Sequence, residues 1–322
     1  MWSAVPVSLL ALLTLACSSP AKDFAWTAAA PCPMARFEAH GVVVDGELWV
    51  MGGFLSTMLD VTKRIDIYDP RTNSWRLGPE LPGAETHAGV VSLGRDFVMI
   101  AGFAGTVHAR ITTAGVWRWN AANAMWSSGP DLPTPRAAVA AALVGNVLHA
   151  AGGLAPDGDS DSGEHLLWDL AGSNAWTGAA PLPNPRNHGG GAASGGLFFA
   201  VAGRHGWDEY AGHDPALDAF DPATGSWTPR APMPGARSEI GASTVTMPDG
   251  RLLVVGGSIV DKQPSNDVLV YDPRLDEWSA LPPLPEPRKG VVAARVGEKI
   301  IVTTGSPMST EPSATTWVGC CL

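Results

Sequence analysis

Apolar and polar positions alternate along most of this chain in short runs of period two, which predicts strands, and turn residues separate the runs. The pattern is clearest between Met34 and Trp75. Arg36 to Val44 read as a first strand, and Asp45-Gly46 as a tight hairpin turn, because glycine accepts the positive φ that such turns need. Leu48 to Met51 read as a second strand ending in Gly52-Gly53. A polar loop follows, then Ile65 to Tyr68 alternate as a third strand, residues 69–73 turn the chain, and Trp75 sits on a fourth. The same order of elements returns six times. Its plainest marker is tryptophan: Trp26, Trp75, Trp126, Trp176, Trp227 and Trp278 follow one another at intervals of 49, 51, 50, 51 and 51 residues. A repeat of about fifty residues carrying four short strands is the signature of a β-propeller blade, so the chain reads as all-β.

Other positions recur with the tryptophans. An aromatic stands seven residues before four of them, as Tyr68, Trp119, Phe220 and Tyr271, and Trp168 stands eight before Trp176. Leu81-Pro82, Leu132-Pro133, Leu182-Pro183, Met233-Pro234 and Leu284-Pro285 mark the crossovers between blades. Small residues end the second strands, where backbones pack closely: Gly52-Gly53, Ala101-Gly102, Gly152-Gly153, Ala202-Gly203, Gly256-Gly257 and Thr304-Gly305. Arg36, Arg136, Arg186, Arg237 and Arg288 open the inner strands, with Glu85 in that place in the second unit. Their expected task is to bond backbone carbonyls between blades, and that of each tryptophan with its aromatic partner is to fill the space between blades. The double glycine, the tyrosine before the tryptophan and the Asp-Pro turn resemble the kelch repeat family. The resemblance covers nearly all of the chain after residue 22. It implies the fold more firmly than any activity, since kelch propellers serve as enzymes, adaptors and carbohydrate binders.

Trp26 precedes the first complete unit, and no tryptophan closes the last one in register. Val291 to Val296, Lys299 to Thr303 and Ala314 to Val318 supply three strands, with Trp317 expected in the aromatic column. A strand from Phe24 to Ala28 completes them. The expectation is a six-bladed β-propeller over residues 22–322, its sixth blade closed by the N-terminal strand, which hides two sheet edges. One propeller of this size leaves no room for a second domain.

Composition narrows the partners. The net charge is −10 and the basic residues are dispersed through the repeats, which argues against nucleic acid. Residues 1–21 read as a signal peptide or lipoprotein leader: Val5 to Ala16 are apolar but too few to span a membrane, and Leu15-Ala16-Cys17 resembles a loose lipobox with Cys17 as lipid anchor. The basic residues usual at the start of such a leader are missing. The expected location is therefore secreted or periplasmic, as a monomer. Cys17, Cys32, Cys320 and Cys321 lie near the closure seam, with no metal-ligand spacing among them. The register favours Cys320 or Cys321 for a disulfide near residues 22–24 and disfavours Cys32. No cofactor or metal is expected.

The candidate chemistry lies where inner strands and loops form a central funnel. One column, two residues after the inner arginine, holds Glu38, His87, Ala138, His188, Glu239 and Gly290. A second, after the double glycine, holds Phe54, Phe103, Leu154, Arg204, Ser258 and Ser306. The fourth unit departs most from the others: its loop from Arg204 to Asp214 carries His205 and Trp207 among acids. An aromatic beside a cation and carboxylates suits a sugar. The expected ligand-binding set is thus Glu38, His87, His188, Arg204, His205, Trp207 and Glu239. His40, His108, His149 and His165 read as ordinary surface or satisfied residues, and the acidic run 157–162 as a solvated loop rather than a Ca²⁺ site.

These features predict a binding module for a protein or glycan ligand. The alternative is a sugar mutarotase resembling the kelch-type N-acetylneuraminate epimerase, with Glu239 or Glu38 as acid and base and His188 and Arg204 clamping a carboxylate. A copper oxidase of the galactose oxidase kind is excluded. Of three tyrosines, Tyr68 and Tyr271 occupy the aromatic column, and no cysteine lies in the blades away from the seam. Neither a nucleophile elbow nor a phosphate-binding glycine loop is present.

Overall fold

The computed structural model describes residues 24–105, 111–172, 174–207, 212–308 and 310–320. The expected leader, the Cys17 anchor, His108 and Tyr210 lie outside them. Six antiparallel sheets of four strands each make the molecule, and no α-helix occurs among the described residues. Blades one to five span residues 40–77, 89–128, 140–178, 190–230 and 244–281. The sixth consists of Val292–Val296, Lys299–Thr303 and Thr316–Cys320, with Trp26–Ala29 added as its outer strand. The ring therefore closes by pairing the two ends of the chain, with Trp26 opposite Gly319 and Ala29 opposite Thr316. Cys320 is disulfide-bonded, and the buried Cys32 is not in a disulfide.

Two repeat columns do work different from each other. Every column tryptophan crosses between blades: Trp75 Nε1 donates to Ala30 O at 2.7 Å, Trp176 Nε1 to Pro130 O at 2.7 Å and Trp278 Nε1 to Ala231 O at 2.9 Å. The acceptors lie in the crossover leading into each blade, so the indole fastens it to the one before. The arginines act within one blade, contrary to expectation. Arg36 reaches Gly52 O at 3.3 Å and Arg64 O at 3.1 Å, and pairs with Asp66 of the same sheet. Arg237 reaches Gly256 O and Asp267, at 3.0 and 2.9 Å. In blades one, three, four and five the guanidinium bonds carbonyls where the second and third strands diverge, whereas Arg288 bonds Glu286 and the Ser313 and Thr315 hydroxyls of blade six. Trp317 is also misplaced by the sequence reading. It pairs with Ala28, not Trp26, and the Arg288 guanidinium lies 4.8 Å from its ring centre. The aromatic column position belongs to Gly319, where a Cβ would meet the rings of Phe24 and Trp26.

The inner strands start later than the pattern predicts, at His40 rather than Arg36 in blade one. The interruption is Glu38, whose φ is 51°. His87, Ala138, His188, Glu239 and Gly290 repeat it at φ 58°, 56°, 54°, 59° and 54°. One column of left-handed residues thus circles the axis. Their backbones link blade to blade: Glu38 N donates to Gly290 O at 2.8 Å, Ala138 N to His87 O at 2.8 Å, and His188 N to Ala138 O at 3.2 Å. These bonds offset the strain of positive φ at non-glycine residues.

Below this ring the inner strands converge on glycines. A Cβ at Gly191 would run into the backbone nitrogen and carbonyl of Ala141 in the neighbouring blade. Gly191→Ala should therefore cost about 1–3 kcal/mol by overpacking. Gly178→Ala, where nothing lies within 4 Å of the added methyl, should be near neutral. Chemical denaturation of the two variants beside wild type checks the difference.

A candidate functional site at the propeller axis

The left-handed column points its side chains toward the axis, where a cavity of about 50 Å³ is lined by Glu38, His87, His188 and Glu239, with His40 and smaller residues beside them. Ala138 and Gly290 supply no polar group there, so the chemistry comes from blades one, two, four and five. His87 Nε2 lies 2.9 Å from Glu38 Oε2. Arg204, from the second strand of blade four, donates from Nη1 to Glu239 Oε1 at 2.8 Å and from Nη2 to His188 Nε2 at 3.0 Å. The two imidazoles meet edge to face, 4.7 Å between centres. Burial pushes the Glu239 carboxyl up to about 7, the hydrogen-bonded Glu38 carboxyl adds to this, and Arg204 opposes it.

The residue before each histidine fixes the ring. The Thr86 hydroxyl donates to Glu38 O at 2.8 Å, so it accepts from His87 Nδ1 at 3.1 Å. The Asn187 amide nitrogen donates to Asp161 and to Gly206 O, which turns Asn187 Oδ1 toward His188 Nδ1. Both rings therefore carry a proton on Nδ1, and their Nε2 atoms face the axis, where His188 Nε2 accepts from Arg204 and His87 Nε2 shares a proton with Glu38 Oε2.

Above the ring, on the face carrying the loops between second and third strands, the axis opens into a mouth of about 180 Å³. Phe37, Phe54 and Trp207 give it apolar walls, and Lys262 and Lys289 give it charge. The Arg204 guanidinium lies 5.4 Å from the Trp207 ring centre, within cation–π range. On the opposite face a wider funnel of about 430 Å³ is lined mostly by valine, alanine and glycine.

Of the residues singled out in the sequence, Glu38, His87, His188, Arg204 and Glu239 come together, and Trp207 covers them. His205 turns away, its Nε2 2.9 Å from Asp214 Oδ2 and its Nδ1 3.3 Å from Asp161 Oδ2. It pins the blade-four loop to blade three rather than lining the mouth. The acidic run beside it is occupied by its own contacts: Asp157 accepts from Asp159 N and Ser160 N. Phe103 and Leu154 of the second column pack under Trp207 instead of facing open space. His40, His149 and His165 are buried rather than on the surface: His149 and His165 of blade three bond each other at 2.9 Å against blade four, while His40 lines the axial cavity, its Nε2 without a hydrogen-bond partner. Sequence reasoning missed Lys262, Lys289 and Phe37. Glu85, singled out in the sequence because it stands where the other blades carry arginine, is buried and pushed up to about 7 by that burial, against a hydrogen bond from Trp117. The polar residue beside each column histidine was the signal available for Thr86 and Asn187.

Comparison with known proteins agrees with this architecture. The Kelch motif matches at residues 35–82 and 241–285. The Kelch-like protein terF of Aspergillus terreus is 27% identical over 245 residues, covering 73% of this chain and 52% of that protein. Kelch-like protein 25 of Xenopus tropicalis is 28% identical over 210 residues, covering 63% of this chain and 34% of that protein. Kelch-like protein 34 of Homo sapiens is 26% identical over 257 residues, covering 76% and 38%. The chain thus spans about half the length of the first of these relatives and about a third of the others. With its repeated double glycine, its tryptophan column and its six closed blades, the chain is a six-bladed β-propeller that carries kelch motifs and is similar to kelch-like proteins.

Proposed function

We propose that this propeller is a binding module that receives a protein partner on its loop face, with one partner side chain entering the axial mouth. The observation carrying this reading is the apolar rim. Met58, Val260 and Met308, in the loops between second and third strands, and Ile111, at the start of the third strand of blade two, are 59, 57, 64 and 64% exposed. Met58 adjoins Leu59 of the mouth, Val260 lies two residues from Lys262 and Met308 two from Thr310. Exposed apolar groups gathered around a polar socket fit a macromolecular interface better than a small solute. A disulfide at Cys320 supports export, since such bonds persist in oxidising compartments.

A photo-crosslinking residue placed at position 58, 260 or 308 should capture the same partner, and one at Leu275, exposed on the opposite face, should capture none. Trp207→Ala should weaken that capture by about 2 kcal/mol, roughly thirtyfold, if the mouth holds a central anchor. Equal capture from position 275 would remove the assignment to this face. The second reading is a small acidic sugar as ligand or mutarotase substrate. It is supported by Trp207 beside Arg204 over two carboxyl groups in contact. Ligand-observed NMR with a sugar panel separates the two. Anomer exchange that disappears in Trp207→Ala/Arg204→Ala would favour the sugar, and no sugar signal beside positive crosslinks would favour the protein.

A further inference from the structure

We propose that the axial ring is a binding site for one divalent transition-metal cation of the Zn²⁺ kind, held by His87, His188 and Glu239 with Glu38 as a further oxygen ligand. The site lies beneath the mouth, and this inference does not depend on what the mouth binds.

The donor set comes first. One ring nitrogen each of His87 and His188 and a Glu239 carboxylate oxygen lie within 4.8 Å of one another, and Glu38 Oε2 is 2.9 Å from His87 Nε2. Zn²⁺ takes nitrogen and oxygen ligands at about 2.0–2.2 Å, so in a tetrahedron the ligand atoms stand about 3.3–3.5 Å apart. The four donors would close on an ion by shifts of about an ångström or less. Two imidazoles with carboxylates suit zinc and its neighbours rather than calcium or magnesium.

The support around the donors is an independent observation. A metal-ligating histidine holds its other ring nitrogen on an oxygen, which sets the tautomer and aims the lone pair. Both histidines here do so, His87 through Thr86 and His188 through Asn187, which is itself fixed by Asp161 and Gly206. Each ligand also sits on a left-handed residue, and the backbones of Glu38, His87 and His188 are tied into the blade-to-blade hydrogen bonds. Arg204 already places a positive charge against His188 Nε2 and Glu239 Oε1. An entering ion takes the position of that guanidinium at these two atoms, so Arg204 competes with the metal and sets its affinity.

The experiment is titration of the chelator-treated full-length protein with Zn²⁺ against a competing indicator, repeated with Co²⁺ to read its ligand-field absorption. Wild type should take up one ion per chain. His188→Ala and His87→Asn should each weaken binding at least a hundredfold, and Arg204→Met should tighten it about tenfold or more. Circular dichroism melting of each variant shows which are folded, and either histidine variant alone suffices if the other is not. Uptake by wild type that both folded histidine variants retain would overturn the site. Uptake by Arg204→Met alone would overturn it for the natural chain, since the guanidinium would then exclude the ion.

Discussion

Asp66→Ala should destabilise the propeller by about 3–5 kcal/mol, the range found when one partner of a buried ion pair is removed. Asp66 is fully buried between two guanidinium groups: Arg36, itself fully buried, and Arg64, from which Nη2 donates to Asp66 Oδ1 at 2.7 Å. Without the carboxylate, the Arg36 charge keeps only neutral partners, backbone carbonyls and the Cys32 sulfur, in a site closed to water. At about 2–4 °C per kcal/mol for domains of 150–250 residues, the melting temperature should fall by roughly 6–20 °C. The double variant Arg36→Met/Asp66→Leu should lose less than Asp66→Ala, because it leaves no unpaired charge in the interior. Thermal and denaturant unfolding of both variants checks this. A double variant as unstable as the sum of its parts would show that the arginine acts through its carbonyl bonds rather than through Asp66.

That experiment also tests a part of the design that the repeat made visible without revealing its geometry. The arginine column was plain from spacing, but not that its bonds stay within one blade, because Asp66 lies thirty residues away and is polar in a strand that otherwise reads as core. The tryptophan column announced the blade number because every blade repeats the same indole-to-crossover bond. The sixth blade was harder. With its outer strand at the far end of the chain, no interval fixed its register, and Trp317 took the place that belongs to Gly319. The axial column shows a different limit. Its left-handed backbone is written openly only at Gly290; Glu38, His87, His188 and Glu239 share that conformation without carrying glycine. Reading the glycine as representative of its column would have predicted the interruption of the inner strands. The mouth was least legible, since Lys262 reaches it from an irregular loop, and Lys289, though in the same repeat position as Phe37, Thr86 and Asn187, replaces them with a different chemistry.

The His149–His165 pair should make the protein acid-labile, and replacing it should remove a definable part of that lability. Both rings are buried: His149 stacks on Phe198, and His165 contacts Phe198, Phe220 and Trp227. His165 Nδ1 faces Ala180 O at 3.3 Å, so its Nε2 accepts from His149 Nδ1, and His149 Nε2 has no hydrogen-bond partner. A second proton on either ring would be buried without an acceptor or would meet another N–H. Burial lowers His149 to about 4. Burial also lowers His165, to about 3, with the His149 and Arg136 charges adding and Ala180 O opposing. The folded values lie below the unfolded one of 6.5, so below that pH the unfolded chain binds more protons and stability falls as pH falls. Each histidine contributes a slope of about 1.4 kcal/mol per pH unit, so between pH 7 and pH 4.5 the pair should cost about 5 kcal/mol. His149→Leu/His165→Phe keeps the volume and the aromatic contact while removing both protonation sites. Its stability at pH 7 need not equal that of wild type; the informative quantity is the difference between the two profiles. That difference should change by about 2–3 kcal/mol per pH unit between pH 6 and pH 4.5, in favour of the variant. Other titrating groups, His40 and Glu85 among them, are common to both proteins and cancel. Parallel profiles over that interval would mean that the pair is already protonated in the folded state, and that another group takes up the proton that opens the ring.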